Sequence, residues 1–134
     1  MSEFDKLSRS YQNARRAFSS LRDFLAEEIK TARDRAGVIQ AFEYSYESSW
    51  KLLQKIARTR GRNVAAPRDA FVFGFELGVL SDEQTWLRMI KTRNLTTHTY
   101  NQELAEKVLG DIQTLYVKAF EQFFNEIGNH IQES

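Results

Sequence analysis

The chain has 134 residues and a formal net charge of +1, and 42% of its residues are hydrophobic and 28% charged. This balance predicts a single globular domain spanning residues 1–134 and excludes a disordered chain. No apolar run reaches the roughly 18 residues of a membrane span, residues 1–10 lack the apolar stretch of a signal peptide, and cysteine is absent, so we expect a cytoplasmic protein without disulfides or thiolate metal sites.

Two long helices are predicted at the start of the chain, because apolar residues recur there at spacings of three and four. In the first segment these residues are Phe4, Leu7, Tyr11, Ala14, Phe18, Leu21 and Leu25. In the second they are Ile39, Phe42, Tyr46, Trp50, Leu53 and Ile56. The pattern resets between the two segments, around residues 31–37, and Gly61 is a plausible C-terminal cap for the second helix.

Two shorter helices are predicted next. Pro67 suits the first turn of a third helix, and Gly78 suits its end. Ser81 is the expected cap of a fourth helix. The run "FVFGF" at residues 71–75 is denser in apolar residues than one helical face can bury. Its surplus either meets another subunit or belongs to a core helix that is buried on several sides.

A last long stripe closes the chain, and it indicates a third long helix. Its apolar residues are Leu104, Val108, Ile112, Leu115, Ala119, Phe123 and Ile127. Strand-like alternation is not found over any useful length. Three long stripes and two shorter helices predict an all-α fold, an antiparallel up-and-down bundle of four or five helices.

The small net charge hides an uneven distribution. Residues 1–68 carry a net charge of +6 and residues 69–134 a net charge of −5. The basic excess is greatest at Lys55, Arg58, Arg60 and Arg62, followed by Arg68. These side chains are candidates for binding an RNA backbone. The alternative is a solvated helix end, where cations also favour the negative end of the helix dipole.

The stretch "KTRNLTTHTYNQE", residues 91–103, contains one of the two histidines. On a continuous helix Asn94 and His98 share a face, whereas Arg93 and His98 lie about 140° apart. The threonines between and around them compete with helical hydrogen bonding. We therefore predict a helix–loop–helix junction at which Arg93, Asn94, His98 and Tyr100 surround one pocket, with Asn101 capping the last helix.

These residue types suit phosphodiester chemistry without a metal. Histidine moves protons near neutral pH, arginine binds phosphate with a planar fork, and asparagine orients either partner. One histidine does not make a metal site. Cleavage through a neighbouring hydroxyl uses a base and an acid, and a two-fold dimer would supply two copies of Arg93 and His98 in one cleft. The alternative is a capping histidine beside an arginine that is paired with a carboxylate.

The stretch "RNLTTHTY" (93–100) resembles the signature of HEPN domains, with the His-x-Tyr extension of the HepT-like subgroup. Two blocks, "VIQAFEYSYESSWKLLQKI" (38–56) and "PRDAFVFGFELGVLSDEQTWLRMIKTRNLTTHTY" (67–100), resemble the nucleotidyltransferase substrate-binding proteins. The resemblance covers residues 35 to 116 approximately. The Arg-x4-His pattern is a weak signal alone, and the two blocks make it fairly specific.

The resemblance implies a helical bundle that forms a homodimer and is encoded beside a minimal nucleotidyltransferase. In one view the pair is a toxin–antitoxin system: the helical protein is a metal-independent, cofactor-free ribonuclease that the partner silences by transferring AMP to the motif tyrosine. Carried over, Arg93 and His98 are catalytic, Asn94 supports them and Tyr100 accepts the AMP. In the older view the protein is a non-catalytic subunit that binds nucleotide or another substrate for the partner.

One further candidate lies on the second predicted helix. Glu43 and Glu47 share a face at i, i+4, and Glu47 is placed to orient Arg93 or His98 across the bundle. The alternative is that both glutamates belong to a solvated edge. A purely structural interaction protein, whose surplus aromatic residues form its binding surface, is the third functional class that the sequence leaves open.

Overall fold

A computed structural model of the chain describes residues 2–131. Its six α-helices are α1 (Glu3–Ala26), α2 (Ala32–Thr59), α3 (Pro67–Leu77), α4 (Glu83–Leu95), α5 (Gln102–Asp111) and α6 (Val117–Ile127). Short 3₁₀ helices follow α4 and α6, at Thr96–His98 and Gly128–His130, and a π-helical turn, Ile112–Tyr116, joins α5 to α6. No strand occurs in residues 2–131, so the all-α prediction is confirmed. None of the helices described is both long and apolar enough to cross a membrane.

Helices α1 and α2 form an antiparallel hairpin. Phe24, near the end of α1, lies against Gly37 near the start of α2, and an added Cβ on Gly37 would come 2.9 Å from the Phe24 ring. At the far end of the hairpin, Lys55 Nζ donates a hydrogen bond to Ser10 Oγ over 2.6 Å. The interruption of the apolar pattern around residues 31–37 therefore coincides with the start of α2. Gly37 lies inside that helix and not in the connection between the two helices.

The helix ends follow the local sequence. At the end of α2, Gly61 has φ +77°, which suits glycine, and its N–H and the next one return to carbonyl groups of the last turn. Gly78 ends α3 in the same left-handed conformation, and Pro67 opens it. The prediction of Ser81 as the cap of α4 is wrong. Asp82 caps this helix, because its carboxylate accepts hydrogen bonds from both the backbone N–H and the hydroxyl of Thr85.

The aromatic run in α3 is largely buried. Phe71 and Phe73 are 0% and 3% exposed, whereas Val72 is 43% exposed. Gly74 allows close packing, because an added Cβ would lie 2.7 Å from a Leu80 methyl group. Burial on several sides therefore accounts for the two phenylalanines, and Val72 is the apolar side chain of α3 that remains exposed.

The side chains buried in the last helical segment are not all those of the predicted apolar stripe. Tyr116 and Phe120 are fully buried, whereas Leu115 and Ala119 are only partly buried. The π-helical turn at Ile112–Tyr116 adds a residue to one turn and rotates the following helix. This rotation directs Phe120 into an aromatic cluster with Phe18, Phe42 and Trp86.

Candidate functional site

The site is built at the end of α4. The helix passes into the 3₁₀ turn Thr96–His98, and α5 begins after Asn101. The Asn101 side chain accepts a hydrogen bond from the Leu104 N–H over 3.1 Å and so caps α5. The predicted helix–loop–helix junction and its cap are both confirmed. The junction brings Arg93 against α2 and leaves the residues after Thr96 at the surface.

Arg93 is fixed by two glutamates of α2. Its Nη1 lies 2.9 Å from Glu43 Oε2, and its Nε lies 3.4 Å from Glu47 Oε1. Glu47 is itself held by Trp50, whose indole N–H donates to Glu47 Oε2 over 2.9 Å. Both glutamates thus face Arg93 and do not form a solvated edge, and the Arg93 side chain is 27% exposed.

Thr96 connects the guanidinium to Glu43. The Thr96 hydroxyl accepts a hydrogen bond from Arg93 Nη1 over 3.0 Å. The same hydroxyl lies 2.9 Å from Glu43 Oε2 and 2.7 Å from the Arg93 carbonyl oxygen, so either can accept its proton. Sequence reasoning did not single out Thr96. The signal that could have found it is its spacing of three from Arg93, which places both side chains on one helical face.

The arrangement leaves part of Arg93 for a ligand. Nη1 and Nε face the glutamates, whereas Nη2 makes no hydrogen bond within residues 2–131. Nε is buried and lacks good hydrogen-bond geometry to any described residue, including Glu47. A phosphate oxygen that approaches Nη2 would meet a guanidinium whose plane is already set. It would also meet the negative charge of two carboxylates, which reduces the local positive potential.

Tyr46 lies beside this pair on α2 but is no proton carrier at neutral pH. Burial raises the pKa of the Tyr46 phenol to about 12, and the charge of Glu47 adds to the effect while Arg93 opposes it. The phenol therefore stays neutral.

His98 and Tyr100 lie on the open side of the junction. Their rings meet edge to face, with centroids 6.0 Å apart and planes at 78°. Tyr100 is 86% exposed, and His98 and Asn94 are exposed as well. No hydrogen bond or ion pair joins Arg93 to His98 in the part of the chain that the structure describes.

The predicted pocket around all four side chains is therefore not closed by one copy of the chain. The 3₁₀ turn continues the helical rotation beyond Arg93, so that His98 follows on a different side of the junction. Arg93 is set against α2, and the other three side chains are open to a ligand or to another chain. A metal centre receives no support here, since residues 2–131 hold no group of three His, Cys, Asp or Glu residues placed for one.

The predicted basic cluster is divided between different surfaces. Lys55 and Arg58 line a cavity of about 570 Å³ between α1 and α2. Arg60 instead turns towards His130, with 3.4 Å between Nη2 and Nδ1. Burial, followed by the charge of Arg60, lowers the pKa of His130. Lys55 and Arg58 lie within α2, whereas Arg60 is its C-cap and no longer has helical backbone angles, so its side chain takes a different direction.

The remaining cations of that cluster lie at α3. Arg62 forms an ion pair with Glu76 and lies over the Phe73 ring, 5.2 Å from its centroid. Arg68 lines a different cavity beside α4. Lys6 and Arg9, which sequence reasoning did not consider, share the cavity of Lys55 and Arg58. They come from α1, and only the packing of the hairpin brings them there.

Comparison with known proteins gives concordant matches. The family described as nucleotidyltransferase substrate binding protein like matches residues 9–129. "Probable ribonuclease HepT" of Haemophilus influenzae is 30% identical over 92 residues, which cover 63% of this chain and 61% of that protein. The chain therefore spans about three fifths of the length of this curated relative.

Two solved structures share the fold. A crystal structure of a protein from Thermus thermophilus matches with a TM-score of 0.75 and 32% identity, over 89% of this chain and 99% of that one. HI0074 of Haemophilus influenzae matches with a TM-score of 0.65 and 22% identity, over 97% and 99% of the two chains. Its structure was described as revealing the fold of a substrate binding domain of a nucleotidyltransferase.

Proposed function

Because this chain belongs to the nucleotidyltransferase substrate binding protein like family, we propose that it is the helical subunit of a two-component nucleotidyltransferase system and acts as a metal-independent endoribonuclease. The partner is a minimal nucleotidyltransferase encoded nearby, in a toxin–antitoxin arrangement. The similarity to "Probable ribonuclease HepT" supports the reaction. The geometry of Arg93 supports the site.

The observation that carries the proposal is the fixed guanidinium at an open helix end. Glu43, Glu47 and Thr96 set the plane of Arg93, while His98 lies exposed five residues later. A surface arginine used only for solubility has no need of two carboxylates and a hydroxyl. A preorganised arginine and an exposed imidazole from the same junction are groups that can stabilise a phosphorane-like transition state and move its protons.

The reaction is a transfer within the RNA strand. The imidazole of His98 takes the proton of a 2′-hydroxyl, whose oxygen attacks the adjacent phosphorus. The bond to the 5′-oxygen breaks, and this oxygen leaves with a proton from a second acid. The products are a 2′,3′-cyclic phosphate and a free 5′-hydroxyl, and Arg93 neutralises the charge that develops on the phosphoryl oxygens.

A second copy of the chain supplies the acid in this proposal. One chain carries a single histidine at this site, and its side chain is exposed. A two-fold homodimer that faces the two junctions towards each other places two copies of Arg93 and His98 in one cleft. Asn94 is also exposed, on the last turn of α4, and its role in the proposed cleft is to hold the substrate or the partner's imidazole.

Replacing His98 provides the test. We expect His98→Ala to lower cleavage of a labelled RNA at least 100-fold, since it removes both proton carriers of the dimer. The matched control is His130→Ala, which removes the other histidine. The assay is run in EDTA with protein shown by intact mass to be unmodified. The proposal fails if unmodified wild-type protein leaves RNA intact, or if His98→Ala cleaves as fast as His130→Ala.

Regulation follows from the tyrosine beside the histidine. We propose that the partner transfers AMP from ATP to Tyr100: the phenol oxygen attacks the α-phosphorus, pyrophosphate leaves, and the phenol proton passes to solvent. Tyr100 is 86% exposed, so the partner's active site has access to it. The new phosphate would pair with Arg93 of the cleft and exclude the RNA phosphate.

A non-catalytic role is the second candidate, and the charges around Arg93 favour it. Two carboxylates beside one guanidinium leave a net negative group, so an anionic nucleotide at Arg93 needs a further positive charge, which the partner protein would supply in this role. In that role the protein binds nucleotide for the nucleotidyltransferase without turnover. Calorimetry with ATP, with and without the partner, separates the two: nucleotide binding at Arg93 together with uncut RNA supports this candidate.

A further inference from the structure

A basic groove lies between the start of α1 and the end of α2. Its cations are Lys6, Arg9, Lys55 and Arg58, and its volume is about 570 Å³. Only one carboxylate, that of Glu3, joins them in the lining. We call this feature the α1–α2 groove. Both helices contribute two of the four cations, so the positive charge lies on both of its walls.

These cations are not neutralised within the chain. None of the four forms an ion pair in residues 2–131, and the polar contact recorded for them is the hydrogen bond from Lys55 to Ser10. Converging like charges raise the free energy of the folded chain, by about 1 kcal/mol for each pair 4 Å apart in water. The dipole at the end of α2 accounts for a cation such as Arg58 in its last turn. It does not account for Lys6 and Arg9, which lie at the positive end of α1.

The groove lies on the same side of α2 as the glutamates that hold Arg93. Glu47, Lys51, Lys55 and Arg58 follow one another at spacings of four, four and three, which keeps them on one broad face. Lys51 is exposed between the two regions. At ~1.5 Å per residue, about 16 Å of helix separates Glu47 from Arg58. With one phosphate per ~3.4 Å of a stacked strand, about five nucleotides span such a distance.

We propose that the α1–α2 groove binds the phosphate backbone of the RNA strand, several nucleotides from the linkage that is cleaved at Arg93 and His98. The inference rests on the proposed function for the identity of the anion. Recognition by four flexible cations is sequence-tolerant and depends on salt, because the counterions that RNA releases drive it. The groove supplies affinity that the carboxylate-flanked Arg93 cannot supply alone.

The test measures binding without cleavage. The probe is a fluorescent 12-nucleotide RNA with 2′-O-methyl groups, which lacks the attacking hydroxyl, and anisotropy gives its Kd with wild-type protein and variants. One groove variant is Lys55→Gln/Arg58→Gln, and the other, from the opposite wall, is Lys6→Gln/Arg9→Gln. The control, Arg60→Gln/Lys118→Gln, removes the same charge from exposed positions outside the groove.

We expect each groove variant to bind at least 10-fold more weakly at 0.1 M salt, while the control stays within twofold. Loss of two phosphate contacts also reduces the magnitude of the negative slope of log K against log salt by about 1.4. Circular dichroism and thermal midpoints identify a variant that has not folded. The Lys6→Gln/Arg9→Gln variant keeps the Lys55–Ser10 bond, so it remains informative if the other variant unfolds.

The inference is overturned if both groove variants bind the probe like the control, or if wild-type protein does not bind it. It is also overturned if the groove variants still bind RNA but no longer bind the nucleotidyltransferase, because the groove is then the contact surface for a protein partner. The proposed function is judged separately, on cleavage of unmodified RNA. If the unmodified RNA stays intact while the groove variants bind the probe more weakly than the control, the ribonuclease proposal fails and the groove remains an RNA-binding site.

Discussion

At the scale of single residues, the orientation of Arg93 is obtained at the expense of its electrostatic attraction for phosphate. Glu43 and Glu47 fix the guanidinium, yet each adds a negative charge where an RNA phosphate would approach in the proposed reaction. The helical spacing of the two glutamates was readable from the sequence. The sequence also placed Glu47 to orient Arg93 or His98, and the structure pairs it with Arg93. The contact of Glu43 with Arg93 was not predicted, because the two residues are 50 positions apart and only the packing of α4 on α2 brings them together.

This opposition predicts separate effects on kcat and KM. Glu43→Gln keeps an acceptor for the Thr96 hydroxyl but removes one negative charge. We expect KM for RNA to fall by about threefold, because the local potential becomes more positive, and kcat to fall by about 10-fold, because Arg93 is held less firmly. Steady-state cleavage kinetics check both.

Glu126→Gln, an exposed substitution on α6, is the control for the general loss of charge. If Glu43→Gln changes neither constant relative to this control, the ion pair is only structural. If KM rises instead, Glu43 contributes to substrate binding, and the assignment of an orienting role is wrong.

The exposure of Tyr100 leads to a prediction about modification. On co-expression with the neighbouring nucleotidyltransferase, we expect wild-type protein to gain an AMP-sized mass increment and to lose RNA cleavage. Tyr100→Phe lacks the nucleophilic oxygen and should remain unmodified and active. Intact mass spectrometry with peptide mapping measures this. Tyr44→Phe, which removes another exposed phenol, should be modified like wild type, and an increment that persists in Tyr100→Phe would place the acceptor elsewhere.

At the scale of elements, the sequence pattern located the helices better than their faces. Stripes of apolar residues placed the long helices, and the glycines at 61 and 78 marked the ends of α2 and α3, because these signals are local. The π-helical turn was missed because a fixed period of 3.6 was assumed through Ile112–Tyr116. The signal was present in the sequence, because Ile112, Tyr116 and Phe120 are spaced four residues apart. In a regular helix, residues at this spacing drift gradually off one face.

The π-helical turn also connects the last helix to α4. Tyr116, at the end of the turn, is fully buried and its hydroxyl lies 2.5 Å from the Thr92 hydroxyl. Thr92 lies one residue before Arg93. The extra residue in the turn therefore gives the α4 segment that carries the candidate site a buried polar contact, in addition to its contacts with α2.

At the scale of the whole molecule, the fold was predictable and the assembled site was not. A bundle follows from stripes that each bury one face. Three features depend on how helices distant in sequence pack together: the basic cluster is divided, Lys6 and Arg9 join the groove, and His98 faces outward. Local patterns do not encode those distances.

The proposed two-copy site predicts that activity depends on protein concentration. If the acid and the base come from different copies, specific activity should be constant above the dimer dissociation constant and fall as the protein is diluted below it. Cleavage assays over a dilution series, alongside sedimentation velocity at the same concentrations, make the comparison. Full specific activity in samples that sediment as monomers would refute the composite site.

The link between Glu43, Thr96 and Arg93 also has a consequence for the order of events during synthesis. Its members are separated by some 50 residues, so the guanidinium gains its orientation only after α4 has emerged and packed on α2. A nascent chain that ends before that point has no such arrangement. Under the proposed ribonuclease function, the growing polypeptide would therefore leave the RNA around it uncut, including the message being translated, until the bundle has closed.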